Sequence, residues 1–405
     1  MAVIVQKYGG SSLADAECIK RVAQRIGVCR ERGNEVVVVV SAMGDTTDKL
    51  IDLAYQVSDS PNPREMDSLL STGELVSCTL VAMALRAKGH DAISLSGAQA
   101  GIRTDDSHSR ARILHLDNQR VRHEVTQGRI AIVAGFQGVN EDMDVTTLGR
   151  GGSDTTAVAL AAAVEAERCE IYTDVQGIYT ADPRLVPQAR CLDEIGYEEM
   201  LELASYGAKM HPRSIELGAA YDVPILVASS FGEEPGTLIH KGANMEARNR
   251  VRGVAADRNV AKITLLGVPD RPGIAAALFG PLAEEGISVD TIVQNASVKH
   301  TTDLTFTVAR TDLKHAVEVV EPISKNVGSQ GIVTAELLAK VSVVGTGMQN
   351  APGYAATMFS ALYDAGINIE MITTSEIRIT CLIDQEQVPK AVQALHAAFR
   401  LEQEE

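Results

Sequence analysis

Several stretches of the chain carry residue types able to hold anions. Lys7-Tyr8-Gly9-Gly10-Ser11-Ser12 puts an ammonium at the tip of an apolar segment, and the two glycines let backbone approach a phosphate that the ammonium neutralises. Thr146–Ala157 reads T-T-L-G-R-G-G-S-D-T-T-A and opens an alanine-rich helical stretch. Gly149, Gly151 and Gly152 free the backbone there, Ser153 and Asp154 stand where a helix wants its N-cap, and Arg150 offers a planar fork for a carboxylate or phosphate. Because Asp154 takes the place of the last glycine in G-x-G-x-x-G, an anion-binding helix start is expected rather than a dinucleotide fold. Ser41-Ala-Met-Gly44-Asp-Thr-Thr47 is small and hydroxylated, with Ser41 and Thr47 as candidate ligand contacts. Glu74 closes Ser71-Thr-Gly-Glu74 between Leu69, Leu70, Leu75 and Val76. A carboxylate in such surroundings is costly unless a cation meets it, which points to a ligand carrying an ammonium.

Two later segments suit a nucleotide. Tyr172-Thr173-Asp174-Val-Gln-Gly-Ile-Tyr179-Thr-Ala-Asp-Pro-Arg184 supplies carboxylates, rings and a loop arginine, and Gly207-Ala-Lys209-Met-His211-Pro-Arg213 supplies a lysine ahead of a helix. His211 reads as a helix-start residue rather than a catalyst. The chain has no G-x-x-x-x-G-K-[ST] and no H-R-D or D-F-G, which excludes a P-loop NTPase and a protein kinase. Its six cysteines form no C-x-x-C and no metal-ligand spacing, so no protein-held metal is expected. Lys and Arg number 37 against 53 Asp and Glu, a net charge of −16, and no basic stripe suggests nucleic acid or an anionic membrane as partner. The first residues lack the layout of a secretory leader, and no uninterrupted apolar run approaches a bilayer span. A cytoplasmic protein is expected.

The elements that must position these residues follow from short apolar runs closed by turn residues: Ala2–Val5, Val36–Val40, Ala92–Leu95, Ile130–Ala134, Glu170–Tyr172 and Pro224–Val227. Such runs read as strands buried on both faces. Stretches of helical period, Asp15–Glu31, Glu65–Ala87 and Asp154–Ala166, alternate with them. The expectation is an α/β domain with a mostly parallel sheet sandwiched by helices, and with ligands bound beyond the carboxyl ends of the strands. The turn-rich Gly232–Gly236 and the charged His240–Arg252 mark a boundary. Beyond it the chain repeats: Lys262-Ile-Thr-Leu-Leu-Gly267 matches Lys340-Val-Ser-Val-Val-Gly345, and Gly286-Ile-Ser-Val-Asp290 matches Gly366-Ile-Asn-Ile-Glu370. Two βαββαβ units lying side by side are expected, each with a Pro-Gly loop opening onto a helix start able to hold a carboxylate.

In their order, K-Y-G-G-S-S, V-V-V-S-A-M-G, S-T-G-E, T-T-L-G-R-G-G-S-D-T-T, Y-T-D-V-Q-G-I-Y-T-A-D-P-R and the paired C-terminal units make the whole chain resemble the aspartate kinases of the amino-acid-kinase fold, with two ACT units. The resemblance implies a catalytic domain over residues 1–245 and ACT-like units over 246–335 and 336–405. It also implies the reaction ATP + L-aspartate → ADP + 4-phospho-L-aspartate with Mg²⁺, opening the route to lysine, threonine and methionine. By the same resemblance Lys7, Asp154 and Arg150 are catalytic. Ser41, Thr47, Glu74, Arg150, Gly151, Gly152 and Ser153 bind the substrate. Lys7, Tyr8, Gly9, Gly10, Thr173, Asp174, Tyr179, Arg184 and Lys209 bind the nucleotide. Asp270, Gln294, Asn295, Gln349 and Asn350 meet lysine or threonine as feedback effectors, and the ACT units join copies into a homo-oligomer. Alternatives that the residues leave open are a kinase of another small carboxylate or carbamate, and an amino-acid sensor with a silent kinase domain.

Overall fold

The computed structural model describes residues 2–205, 210–243, 251–295, 301–348 and 352–403. The chain divides into two compact units, residues 1–179 with 191–245, and residues 180–190 with 246–405.

The first unit begins β1 (Val3–Tyr8), α1 (Ala16–Glu31), β2 (Glu35–Val40), α2 (Thr46–Val57), α3 (Pro63–Ala87), β3 (Ala92–Leu95), β4 (Ile102–Thr104) and β5 (Ile113–Leu116). It continues α4 (Gln119–Thr126), β6 (Ile130–Ala134), β7 (Gln137–Val139), β8 (Val145–Thr147), α5 (Gly152–Val164) and β9 (Arg168–Thr173). After the excursion of residues 180–190 come β10 (Glu194–Ile195), α6 (Tyr197–Ser205), α7 (Pro212–Tyr221), β11 (Ile225–Ser229) and β12 (Thr237–Ile239). The main sheet has the order β10-β12-β11-β9-β1-β2-β6-β3. It is parallel from β11 to β3, as expected, and β12 runs against β11.

The valines of β2 explain the layering. Val36 to Val40 are each at most 1% exposed. Covering one valine stabilises by roughly 1.5–3 kcal/mol, so both faces need helices. Val36, Val38 and Val40 pack with Ile19, Val22 and Ile26 of α1 and with Val81 and Leu85 of α3. The other face receives α5, whose Ala157, Val158 and Ala161 are wholly buried. Helix α3 begins at an Asn62 cap with Pro63 in its first turn. By length and composition alone it could cross a bilayer, contrary to the expectation from uninterrupted runs. Its buried face, however, carries Asp67 and Glu74.

A second, four-stranded sheet, β5-β4-β7-β8, was not expected. Its strands are only three or four residues long, too short for a period to show. It delivers the chain from β8 into the Gly149–Gly152 turn at the start of α5.

The second unit runs β13 (Gly253–Pro269), α8 (Ile274–Glu284), β14 (Val289–Gln294), β15 (Thr301–Val308), α9 (Leu313–Val327), β16 (Gly331–Val344), α10 (Tyr354–Asp364), β17 (Met371–Thr374), β18 (Arg378–Asp384) and α11 (Val388–Ala398). One antiparallel sheet, β14-β15-β13-β16-β18-β17, contains both repeats. The two long central strands serve both lobes. Lys262–Leu266 of β13 pairs with Ala335–Gly331 of β16, while Gly253–Asp257 pairs with Val344–Lys340. Val251 and Val254 accordingly lie in the core of the C-terminal lobe with Val341, Met358 and Leu395. A division at residues 335 and 336 therefore falls inside β16, because each lobe closes on a strand segment that lies outside its own span of sequence.

The expected single span of residues 1–245 is likewise broken at 180–190. Ala181 and Val186 belong to that same C-terminal core. The Val254 amide donates to the Thr180 carbonyl at 2.8 Å, and Gln393 Nε2 donates to the Leu185 carbonyl at 2.8 Å.

The repeats also exchange charges. Lys262 and Lys340 are matched positions of the two copies, as are Asp290 and Glu370. Lys262 Nζ lies 2.9 Å from Glu370, and Lys340 Nζ is ion-paired with Asp290, so each copy's first strand reaches the other copy's acid. The pairs differ in depth. Burial pushes the Lys340 ammonium down to about 8, whereas Lys262 and Glu370 keep 19% and 41% of their side-chain exposure. Asp290→Asn should lower stability by about 1–2 kcal/mol, because it leaves a buried cation poorly compensated, and Glu370→Gln by less than about 1 kcal/mol. Thermal melts of the two variants against the parent chain check the ordering.

Candidate active site

The parallel strands end together. Tyr8 stands opposite Val40 and Tyr172, and Thr173 opposite Ser229. The segments that follow β1, β2, β9 and β11 therefore meet at one edge. Ser41 N donates to the Tyr8 carbonyl at 3.1 Å, Gly44 N to the Gly10 carbonyl at 3.0 Å, and Ser230 N to the Thr173 carbonyl at 2.8 Å. A Cβ on Gly10 would sit 2.9 Å from the carbonyl oxygens of Ala42 and Gly44, so no larger residue fits between the first two loops.

Lys7 points from β1 towards the start of α5. Its Nζ lies 2.6 Å from Asp154 Oδ1, with 11% and 15% of the two side chains exposed. A Cβ on Gly9 would be 3.5 Å from that same Nζ, so the ammonium lies over the Gly9 backbone. The α5 start has no side-chain cap: Gly151 holds the N-cap position at φ +72°. A Cβ there would lie 2.4 Å from the His211 side chain, so glycine is required for space as well as conformation. Uncapped first-turn amides beside an ammonium make an anion-binding corner. Ser153 is buried in it, while Arg150 is exposed on the turn just before.

Glu74 reaches the site from α3. It is 3% exposed. Oε1 accepts the Ala42 amide at 3.1 Å, and Oε2 has no hydrogen-bond partner. Ser77 Oγ donates to the Ser41 carbonyl at 2.7 Å, fixing this turn of α3 against the end of β2. Burial pushes the Glu74 carboxyl up to about 7, against the smaller downward pull of the backbone amides around it. Ser41 and Thr47 are half-buried on the adjoining loop and the first turn of α2.

The nucleotide candidates spread further. Thr173 donates to the Asp174 carboxylate at 3.1 Å, and the half-buried Tyr179 donates its hydroxyl to Gln176 Oε1 at 2.6 Å. The Tyr8 ring does not join them. It is fully buried and stacked on Tyr172 at 5.0 Å, with its hydroxyl on Gln6, which leaves only backbone for a ligand. Arg184 lies in the segment grouped with the second unit, ion-paired with Asp182 at 2.7 Å. In that unit Asp270, Gln294 and Asn295 are exposed at one end of the N-terminal lobe, where β13 and β14 flank β15. Lys209, Gln349 and Asn350 lie outside the described residues.

Sequence reasoning passed over Asp67 and Arg213. Asp67 is completely buried in α3 and accepts from Ser109, Thr147 and His108. Arg213 donates to the Leu148 and Ala111 carbonyls. Both act on the turn that carries Arg150.

An ammonium with its own counter-ion, an uncapped helix start and a buried carboxylate with one unpartnered oxygen make up the equipment of an α/β small-molecule phosphotransferase. The comparisons with known proteins say which. The amino acid kinase family matches residues 2–229, and the ACT domain matches residues 262–328 and again 341–399. The aspartokinase of Mycolicibacterium smegmatis is 52% identical over 99% of this chain and 97% of its own, and the aspartate kinase of Pseudomonas putida is 49% identical over 99% and 98%. Among solved structures, aspartokinase III of E. coli in complex with aspartate and ADP aligns over 98% of this chain and all of its own, at 28% identity and a TM-score of 0.84. The chain belongs to the amino acid kinase family and, within it, to the aspartokinases.

The raised Glu74 carboxyl has a signed consequence. The folded chain keeps a proton that the unfolded chain has already released, so the Glu74 contribution to stability is lost as pH rises from the carboxylate range through about 7. Without ligand, the thermal midpoint of Glu74→Gln should gain on that of the parent chain between about pH 5 and about pH 8. Paired melts across that range check it, and parallel curves would contradict it.

Proposed function

We propose that the first unit transfers the γ-phosphoryl group of ATP to the side-chain carboxylate of L-aspartate, and that the second unit senses lysine, threonine or both. The observation that carries the catalytic reading is the Lys7–Asp154 pair at 2.6 Å, standing between the end of β1 and the start of α5.

The nucleophile is the substrate's own carboxylate, ionised at neutral pH, so no general base is called for. Two anions must instead be brought together, and catalysis consists of positioning and charge neutralisation. Lys7 meets the transferring phosphoryl oxygens, with Gly9, Gly10 and the backbone of Tyr8 alongside. At the α5 start the Gly151 and Ser153 amides take further anionic oxygens, while the Gly152 amide closes the turn on the Gly149 carbonyl at 3.0 Å. Arg150 takes the α-carboxylate of aspartate. Glu74 takes the α-ammonium with its unpartnered Oε2, the cation that makes a carboxylate at this depth tolerable. Ser41 and Thr47 line the same end, and Thr173, Asp174 and Tyr179 frame the nucleotide. A Mg²⁺ bound with ATP takes one or two carboxylates besides the phosphates, and Asp154 is the carboxylate this corner offers. Its chemistry would be to screen the charge between phosphate oxygens. The Lys7 contact holds Asp154 in place for that role.

For regulation, the paired ACT lobes and the structure of E. coli aspartokinase III with lysine and aspartate support an end-product effector. Asp270, Gln294, Asn295, Gln349 and Asn350 are the residues proposed to meet it, in a cytoplasmic homo-oligomer joined through these lobes.

Lys7→Ala should lower kcat on the order of 10³-fold while the circular dichroism spectrum keeps its native form. Near-parental turnover would sink the catalytic assignment. Lysine or threonine at millimolar concentration, singly or together, should inhibit aspartate-dependent ADP release, and indifference to both would remove the sensory reading.

A further inference from the structure

Asp67 and Arg213 hold the same two pieces of backbone from opposite chemical sides. The first piece is residues 108–111, and the second is residues 147–148, two positions before Arg150. Asp67 takes the donors. Its Oδ2 accepts the Ser109 amide at 3.0 Å, the Thr147 amide at 3.0 Å and His108 Nδ1 at 2.9 Å, and its Oδ1 accepts the Thr147 hydroxyl at 2.6 Å. Arg213 takes the acceptors, donating Nη1 to the Leu148 carbonyl at 2.8 Å and Nη2 to the Ala111 carbonyl at 3.1 Å. A direct bond from the Ala111 amide to the Thr147 carbonyl at 2.9 Å closes the set.

The placement is costly unless it does something. Asp67 is 0% exposed, and a buried carboxylate is tolerated only with its oxygens fully occupied. Here the Thr147 amide and hydroxyl come from the strand end that leads into the turn, and the Ser109 amide and His108 ring from the segment packed against it. Charge-assisted hydrogen bonds are about twice as strong as neutral ones, so this turn is held more firmly than an ordinary surface loop. The side chain that it presents to solvent is Arg150. Arg213 also follows directly on the His211-Pro212 step against which Gly151 packs, so the arginine's anchor and the α5 start share one support.

We propose that Asp67 and Arg213 are positioning residues that fix Arg150 for the α-carboxylate of aspartate, acting as an anion–cation clamp on the turn between β8 and α5. The proposal rests on the reading of Arg150 as a substrate contact.

The experiment is steady-state kinetics on the full-length enzyme with Asp67→Asn, Arg150→Ala and the double variant, varying aspartate and ATP separately. The amide of Asp67→Asn must turn an N–H₂ towards donors that both carboxylate oxygens now satisfy, so the turn loosens. Asp67→Asn should raise the KM for aspartate about tenfold with the KM for ATP within about twofold, and should add nothing in the Arg150→Ala background. Equal rises for both substrates, no rise for aspartate, or multiplying effects in the double variant would each overturn the clamp. If Arg150→Ala leaves the aspartate KM unchanged, the reading of Arg150 fails and the clamp with it. A raised KM in Arg150→Ala but none in Asp67→Asn fails the clamp alone. Should Asp67→Asn not fold, Thr147→Val, which removes only the hydroxyl bond, and Arg213→Lys, which loses the paired fork, carry the same comparison.

Discussion

The catalytic unit is organised around a conflict of charge. The role proposed for Lys7 requires an ammonium close to phosphate that stays in one place before any phosphate arrives. Asp154 resolves this by supplying a counter-ion at 2.6 Å. The pair joins one of the two central strands to the start of the helix whose amides face the same space. Both groups keep a little exposure, so neither carries the full cost of a buried ion. The requirement propagates outward. β1 must be central and rigid, which the unbroken valines of β2 and the cover of α1, α3 and α5 provide. α5 must come close to the sheet, which its alanines allow. Its start must stay uncapped, which Gly151 ensures.

How far all this could be seen in the sequence depended on whether a residue's neighbours in the chain are also its neighbours in space. Lys7-Tyr-Gly-Gly and Gly149–Asp154 announce themselves because strand end, glycines and charged group lie within a few residues. Glu74 was visible because a carboxylate among leucines has few innocent explanations. Asp67 sits one turn into a helix, where an acid is ordinary support for the helix dipole. Its actual partners lie some forty and eighty residues further on. Tyr8 misled for the opposite reason. It stands between two site residues, yet alternation along a strand turns its ring into the core. The small second sheet escaped because three-residue strands have no measurable period.

The unit with the two ACT lobes shows the same limit on a larger scale. The repeat was plain, including the matched lysines and acids, but a repeat in sequence does not say how the copies close. The copies share one sheet, complete each other's lobes through β13 and β16, and exchange ion pairs. The pairs are symmetric in placement and unequal in depth, Lys340 buried and Lys262 partly open. The two copies are therefore chemically distinct at matched positions.

The segment at residues 180–190 sets an order on how the molecule can be made. Synthesis proceeds from the N-terminus, and this segment emerges in the middle of the catalytic half. Its packing partners Met358, Val392 and Leu395 are added about 200 residues later, roughly 10–40 s at the usual 5–20 residues per second. Through that interval Ala181 and Val186 have no core to enter. Folding on the ribosome thus cannot run strictly from front to back. The segment at 180–190 has to wait, its apolar side chains unpacked, until α10 and α11 have been made.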